Sequence, residues 1–245
     1  NWNEVGTNST YTIAASEEGK KVRAIISYKD AQGFDEIVTT SAARIPYRNG
    51  FEWNDTFRTS RYQISARALT TGNDGSIYIA GSTDGNLDGQ VSNEDDAFLI
   101  KYSSDGTKEW TNLLSTSDLS FPDDSANALT TGSDGSIYIA GTAAGNIDDQ
   151  ASIGGINDAF ISKYNPDGQK EWTRIFGTSG IESARALTTG SDGSIYIAGS
   201  SNGDLGGQTN SGGSDDYIAK YNPDGIQEWI KLYGTPELDS AVALT

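Results

Sequence analysis

The twelve residues Thr130–Gly141, TTGSDGSIYIAG, recur letter for letter at Thr188–Gly199, and again at Thr70–Gly81 with Asn73 as the one change. A chain that repeats a segment at long, even spacing folds by stacking copies of one unit, since a single copy cannot bury its own apolar face. The spacing here is even. ALT triplets begin at Ala68, Ala128, Ala186 and Ala243, in steps of 60, 58 and 57 residues. The tryptophans of the EW pairs, Trp53, Trp110, Trp172 and Trp229, follow in steps of 57, 62 and 57.

Each period holds four short apolar runs divided by turn signals: from Ala128 they read ALTT, SIYIAG, DAFISKY and KEWTRIFG. No run has the 3.6-residue apolar spacing of a helix. Four short strands per repeat describe a β-propeller blade; a β-helix would have shorter turns, and a sandwich would not copy itself so literally. The fold class expected is therefore all-β, a partial β-propeller of four-stranded blades with about 57–60 residues per repeat. The second strand is apolar on both sides, as in Ile77, Tyr78, Ile79 and Ala80, which suits a blade packed on both faces. The SDG and NDG tripeptides predict tight turns in which Asp caps its own backbone and Gly takes positive φ. The copied residues are thus a blade template. A catalytic constellation must be unique in space, so the expectation is no catalytic residue, no certain cofactor and no enzyme activity.

Charge narrows the partners. The chain carries 34 acidic and 17 basic residues, a net charge of −17, which repels phosphate backbones and argues against nucleic acid. Cations are the natural complement. With no Cys, His or Met, thiolate and imidazole metal sites are excluded, as is His-based acid–base chemistry. No apolar run approaches the roughly 20 residues of a membrane span. Asn1 is neither an initiator Met nor the start of a signal peptide, so the chain is expected to begin inside a longer precursor.

The stretch ALTTGSDGSIYIAGS…DAFISKYNPDGQKEWTRIFGTSG resembles the bacterial SBBP-type β-propeller repeat, found in large secreted and cell-surface proteins. The resemblance runs from about Phe51 to Thr245. It implies an extracellular or cell-surface location and brings no general catalytic residues. WD and kelch repeats fit less well, because the period is long and a Gly-His signature is impossible without His. Ahead of the repeats, Trp2, Tyr11, GKKVRAIISY and the DAQGFDE turn are similar to the closing half of a bacterial immunoglobulin-like or cadherin-like domain. The expected domains are residues 1–46, the end of an immunoglobulin-like β-sandwich with a turn at Asp30–Gly33, and residues 47–245, the propeller segment. Pro46 and Asn49-Gly50 mark the boundary. FEWNDTFRTS at 51–60 matches only a fourth strand, and AVALT at the C-terminus only a first strand. Further segments of the same protein, or other protein chains, are expected to complete the blades.

In a four-stranded meander the long second-to-third and fourth-to-first loops share one end. SSNGDLGGQTNSGGSDD, TAAGNIDDQASIGGIND and STSDLSFPDDSAN lie there, and variable loops on a rigid scaffold are where binding sits. That end collects Asp84, Asp88, Glu94, Asp95, Asp96, Asp148, Asp149, Asp158, Asp204, Asp215 and Asp216. Ca²⁺ wants six to eight oxygens. The candidate ligands are Asp95, Asp96, Asp149, Asp158, Asp215 and Asp216, where a loop enters a strand. The alternative for these acids is a solvated surface with strand-start capping. Asp123 and Asp124 are the pair to weigh as glycosidase acids, though adjacent Asp residues in a polar loop are usually just solvated. The tryptophans are expected to serve packing rather than sugar stacking, since four of the five hold one place in the blade. The functional expectation is a structural or adhesion segment serving extracellular assembly; the alternative is a carbohydrate-binding propeller that uses the loop face, with surface polysaccharide as partner.

Overall fold

The computed structural model describes residues 63–92, 95–116, 124–147 and 150–239, together with the strand residues 21–22, 25–29, 35–39 and 43–44. The chain divides into two compact units, Asn1–Asp55 and Thr56–Thr245. In the first, β1 (Lys21–Val22) pairs antiparallel with β4 (Ala43–Arg44), and β2 (Ile25–Lys29) with β3 (Asp35–Thr39). The expected turn at Asp30–Gly33, the 51–60 strand and the AVALT strand lie outside the described residues.

Among its described residues the second unit contains three four-stranded antiparallel meanders. The first blade is β5 (Ile64–Thr71), β6 (Ile77–Thr83), β7 (Asp96–Tyr102) and β8 (Lys108–Leu114). The middle blade is β9 (Ser125–Thr131), β10 (Ile137–Ala143), β11 (Asp158–Tyr164) and β12 (Lys170–Phe176). The third is β13 (Glu182–Thr189), β14 (Ile195–Ser201), β15 (Asp215–Tyr221) and β16 (Gln227–Tyr233). The chain is a partial β-propeller. Among the described residues the one helical segment is a single 3-10 turn, Leu205–Gly207, and no helix is long and apolar enough to cross a membrane.

The template explains each local step. Ser136 N donates to Asp134 Oδ1 (3.0 Å) and Ser136 Oγ to Asp134 Oδ2 (2.8 Å), while Gly135 takes φ +84°, closing the first turn of the middle blade. The same bonds join Ser76 to Asp74 and Ser194 to Asp192 in the other blades. In the middle of the second strand, Gly141 faces a bulge in the first strand, and a methyl group there would collide with the Ser125 carbonyl.

The first strands lie side by side, joined by Thr131 Oγ1 donating to Thr71 O (3.2 Å) and Thr189 Oγ1 donating to Thr131 O (3.1 Å). At the other edge, Trp110 and Trp172 each reach the next blade. Trp110 Nε1 donates to Pro166 O (3.4 Å), and its ring lies over Gly168, where a Cβ would stand 2.8 Å from the indole. Trp172 repeats this on Pro223 and Gly225 (3.3 Å and 2.9 Å). Trp110, Trp172 and Trp229 hold equivalent places, each opposite a lysine in register and tilted against Tyr78, Tyr138 or Tyr196. Trp110 and Trp172 seal seams between blades rather than sit at the centre of the core, which Phe98, Phe160, Ile139, Ile161 and Tyr217 fill.

Candidate functional site

The two ends of the blades differ. At the tight-turn end the loops are closed by their own Asp, Asn and Gly residues. At the opposite end the long loops are pinned by bonds repeated from blade to blade. Asn86, Asn146 and Asp204 accept from the backbone N–H groups of Ser92, Ser152 and Asn210 (3.0, 2.8 and 2.9 Å). Gln90 Nε2 and Gln208 Nε2 donate to fourth-strand carbonyls, of Thr111 (2.6 Å) and Ile230 (3.1 Å). The described parts of the second-to-third loops are therefore held to the blades, as a binding surface requires.

Of the predicted metal ligands, Asp96, Asp158 and Asp215 occupy one position, the start of the third strand, in three separate blades. They are buried, 4%, 1% and 1% exposed, rather than solvated. In the middle and third blades a loop folds back over the carboxylate, which holds it: Asp158 Oδ2 accepts from Ser152 Oγ (2.6 Å) and Ile153 N (2.8 Å), and Asp215 Oδ2 from Ser211 N (2.8 Å). Asp95 and Asp216 are half-buried beside them, and Asp149 lies outside the described residues, as do Asp148, Glu94 and Asp123. Among the described residues no three acids gather around one point. Two do approach each other: Asp158 and Glu182 both crowd Gly177, which must lack a side chain to admit them, and Asp158 Oδ1 is enclosed without a hydrogen-bond partner. Glu182, fully buried, accepts from Thr178 N (2.7 Å), Thr178 Oγ1 (2.8 Å) and Ser201 Oγ (2.7 Å).

Where the inner strands meet these loops, a cavity of about 250 Å³ opens between the blades. The first blade lines it with Arg67, Ser82 and Asp95, the middle blade with Asp124, Ser125, Asn127, Thr142 and Asn157, and the third with Ser183. The lining is polar throughout. Asn127 Nδ2 donates to Ala184 O (3.1 Å), Ser125 Oγ donates to Asn127 Oδ1 (3.0 Å), and the hydroxyls of Thr142 and Ser183 share a bond of 3.1 Å, so blades two and three are stitched beneath it. Asp124 is 2% exposed and accepts from Ala144 N (2.8 Å) and Thr116 N (2.9 Å). Burial pushes its carboxyl up to about 6, with the nearby Asp96 adding to the rise and the two backbone donors opposing it.

The sequence reading passed over Arg67, Asn127 and Ser183. A signal was present: within SARALT, SANALT and SARALT the bulged position alone changes, Arg67, Asn127 and Arg185, and a bulge re-aims its side chain.

Residues 132–171 and 190–225 match the family of the domain of unknown function DUF5122, described as a β-propeller. The chain is a β-propeller repeat protein. It is 31% identical over 197 residues to regulatory protein FlaEY of Caulobacter vibrioides, an alignment covering 72% of this chain and 20% of that protein. It is 36% identical over 94 residues to an uncharacterized WD repeat-containing protein of Acanthamoeba polyphaga mimivirus, covering 32% of this chain and 6% of that protein. The chain thus spans about one fifth of the first relative's length and far less of the second's.

Proposed function

We propose that this chain is a scaffold segment of a larger extracellular or cell-surface protein, without enzymatic activity, that serves adhesion or assembly through the long-loop end of its propeller. The observation that carries this reading is the asymmetry of the two ends. One end is closed by two short turns in each described blade, while the other combines blade-specific loops with an open polar cavity. The SBBP type of the repeat and the immunoglobulin-like reading of residues 1–46 belong to the same proposal, and the motifs quoted for them support both. A regulatory role, suggested by the name of the Caulobacter relative, would also use an interaction face and no catalytic centre.

The test is to coat beads with the 245-residue chain and measure bead clustering and retention on polysaccharide-coated surfaces. Shortening the loop between Thr142 and Asn157 is expected to abolish the effect, and Asp167→Ala, in a tight turn at the other end, to leave it unchanged. Equal loss from both changes, or no clustering and no retention by the parent, overturns the reading. Ca²⁺ is proposed as a stabilising ion of this end, and the buried approach of Asp158 to Glu182 supports it. At a Ca²⁺ concentration 100 times the dissociation constant, binding to the native state alone would add about 2.7 kcal/mol. A melting midpoint unchanged between millimolar Ca²⁺ and chelator at constant ionic strength removes Ca²⁺ from the proposal.

A further inference from the structure

The cavity between the inner strands has a composition that selects its occupant, and the geometry points to a saccharide unit: one neutral, polyhydroxylated ring held by Arg67, Asp95, Asn157 and the hydroxyls of Ser82 and Ser183. The inference deepens the proposed function and rests on it, in that the long-loop end is taken as the binding end.

Three observations carry it. The first is size. Pockets for drug-sized ligands run from about 300 to 1,000 Å³, so 250 Å³ suits a single small ring rather than a peptide or an extended cofactor. The second is the balance of the lining. An anion such as phosphate would meet Asp95 and the buried Asp124, and a cation would meet Arg67, so ligands of either sign face a like charge. A ring of hydroxyls meets neither penalty, because each hydroxyl both donates and accepts. The wall offers that same mixture: a guanidinium and an amide N–H₂ that donate, carboxylates that accept, and serine hydroxyls that do either. An apolar or aromatic ligand would strand these groups without partners. The third is Asn157, whose Oδ1 is enclosed without a hydrogen-bond partner although its side chain lines the cavity. Buried polar groups are normally satisfied, and because this oxygen is closed off as it stands, a small turn of the side chain toward the cavity would let a ligand hydroxyl donate to it.

Pseudo-symmetry explains why the site forms here rather than in every blade. Ser82, Thr142 and Ser200 hold one template position, and Asp95, Asn157 and Ser214 another. Where the first blade's Arg67 and Asp95 face the middle blade's Asn157 and Asn127, a cation, an acid and two amides line one space.

The experiment titrates the 245-residue chain with glucose, galactose, mannose and N-acetylglucosamine, followed by saturation-transfer NMR and calorimetry. Inorganic phosphate, glycine and lysine are run as competitors. The expected result is a millimolar or tighter dissociation constant for at least one sugar, no displacement by the competitors, and a loss of about fivefold or more in each of Asn157→Ala and Arg67→Gln, the size expected for one hydrogen bond to a ligand. Arg67 is exposed, so its replacement leaves the fold intact, and unchanged melting midpoints verify this for both variants. No saturation by any of the four sugars overturns the inference. So does binding that survives both substitutions, or preferential binding of phosphate or an amino acid. If loop shortening still abolishes bead clustering while no sugar binds, the binding end stands and the saccharide site falls.

Discussion

Leu129 in the middle blade and Leu69 in the first occupy the same position of the same ALTT strand, yet Leu129 is 9% exposed and Leu69 66%. The second strand shows the same contrast: all seven residues of β10 are buried, whereas Ile77 and Ile79 of β6 are only partly so. At the far side, Trp172 lies on the turn of the next blade, while Trp229, in its place in the third blade, is 37% exposed beside Tyr233 at 60%. One template therefore yields three burial patterns. A blade cannot bury its own faces, and its neighbours decide which of its apolar residues contribute to stability.

Four comparisons of variants sharpen or break this contrast. The largest effect is expected for Leu129→Ala, at about 2–4 kcal/mol, against less than about 1 kcal/mol for Leu69→Ala, since only the buried leucine loses transfer energy and leaves a cavity. Urea midpoints of the two variants decide it; equal losses would mean that Leu69 is covered in solution. Next, Trp172→Ala is expected to cost about 2–3 kcal/mol and Trp229→Ala about 1 kcal/mol, because only the first ring seals a seam. A Trp229 variant as damaged as the Trp172 variant would show its face to be packed.

The third comparison is read against pH. Asp124 sits where the first blade has Ile64 and the third Glu182, and its carboxyl titrates near 6 instead of at an ordinary carboxylate value. A raised carboxyl binds its proton more tightly in the folded state. Its ionisation therefore weakens the fold above about pH 6, and that loss is recovered as pH falls from about 6 toward 4. Relative to Asp124→Asn, the parent should gain on the order of 2 kcal/mol between pH 7.5 and pH 4.5. A difference between the two that does not vary with pH would show that Asp124 titrates normally.

The smallest effect comes from a feature that each blade supplies for itself. Lys101–Glu109, Lys163–Glu171 and Lys220–Glu228 are ion pairs of 2.9, 2.9 and 2.7 Å within single blades. Replacing each glutamate by Gln should cost less than about 1 kcal/mol and about the same in all three blades. A larger cost in the middle blade would mean that even these pairs depend on neighbours.

What could be read in advance follows the same division between local and neighbour-dependent physics. The strand count, the turn at Asp134-Gly135 and the period were legible because they are set within a few residues of sequence. The equivalence of the tryptophans was legible from their spacing, but their seating on Gly168 and Gly225 was not, because that contact joins residues more than fifty positions apart. The burial of Asp96, Asp158 and Asp215 was hidden for a related reason. Their loops look solvated in sequence, and only the folded course brings Ser152 and Ser211 back over the carboxylates. The polar cavity was the least legible element, since its lining comes from three blades and from bulged positions that the repeat leaves free to vary.

The seating of Trp110 and Trp172 on the glycine turn of the following blade also bears on how such a chain can lengthen. The projecting ring and the receiving turn both lie within one period of about 57–60 residues, so a duplicated stretch of gene carries its own plug and its own socket. An inserted copy meets a matching surface on each side without any compensating mutation, and a deleted copy leaves two surfaces that still match. Near-identity between the copies favours such exchange between misaligned repeats. A lineage carrying this sequence can therefore change its number of blades in single genetic steps, while the bulged and looped positions are free to vary.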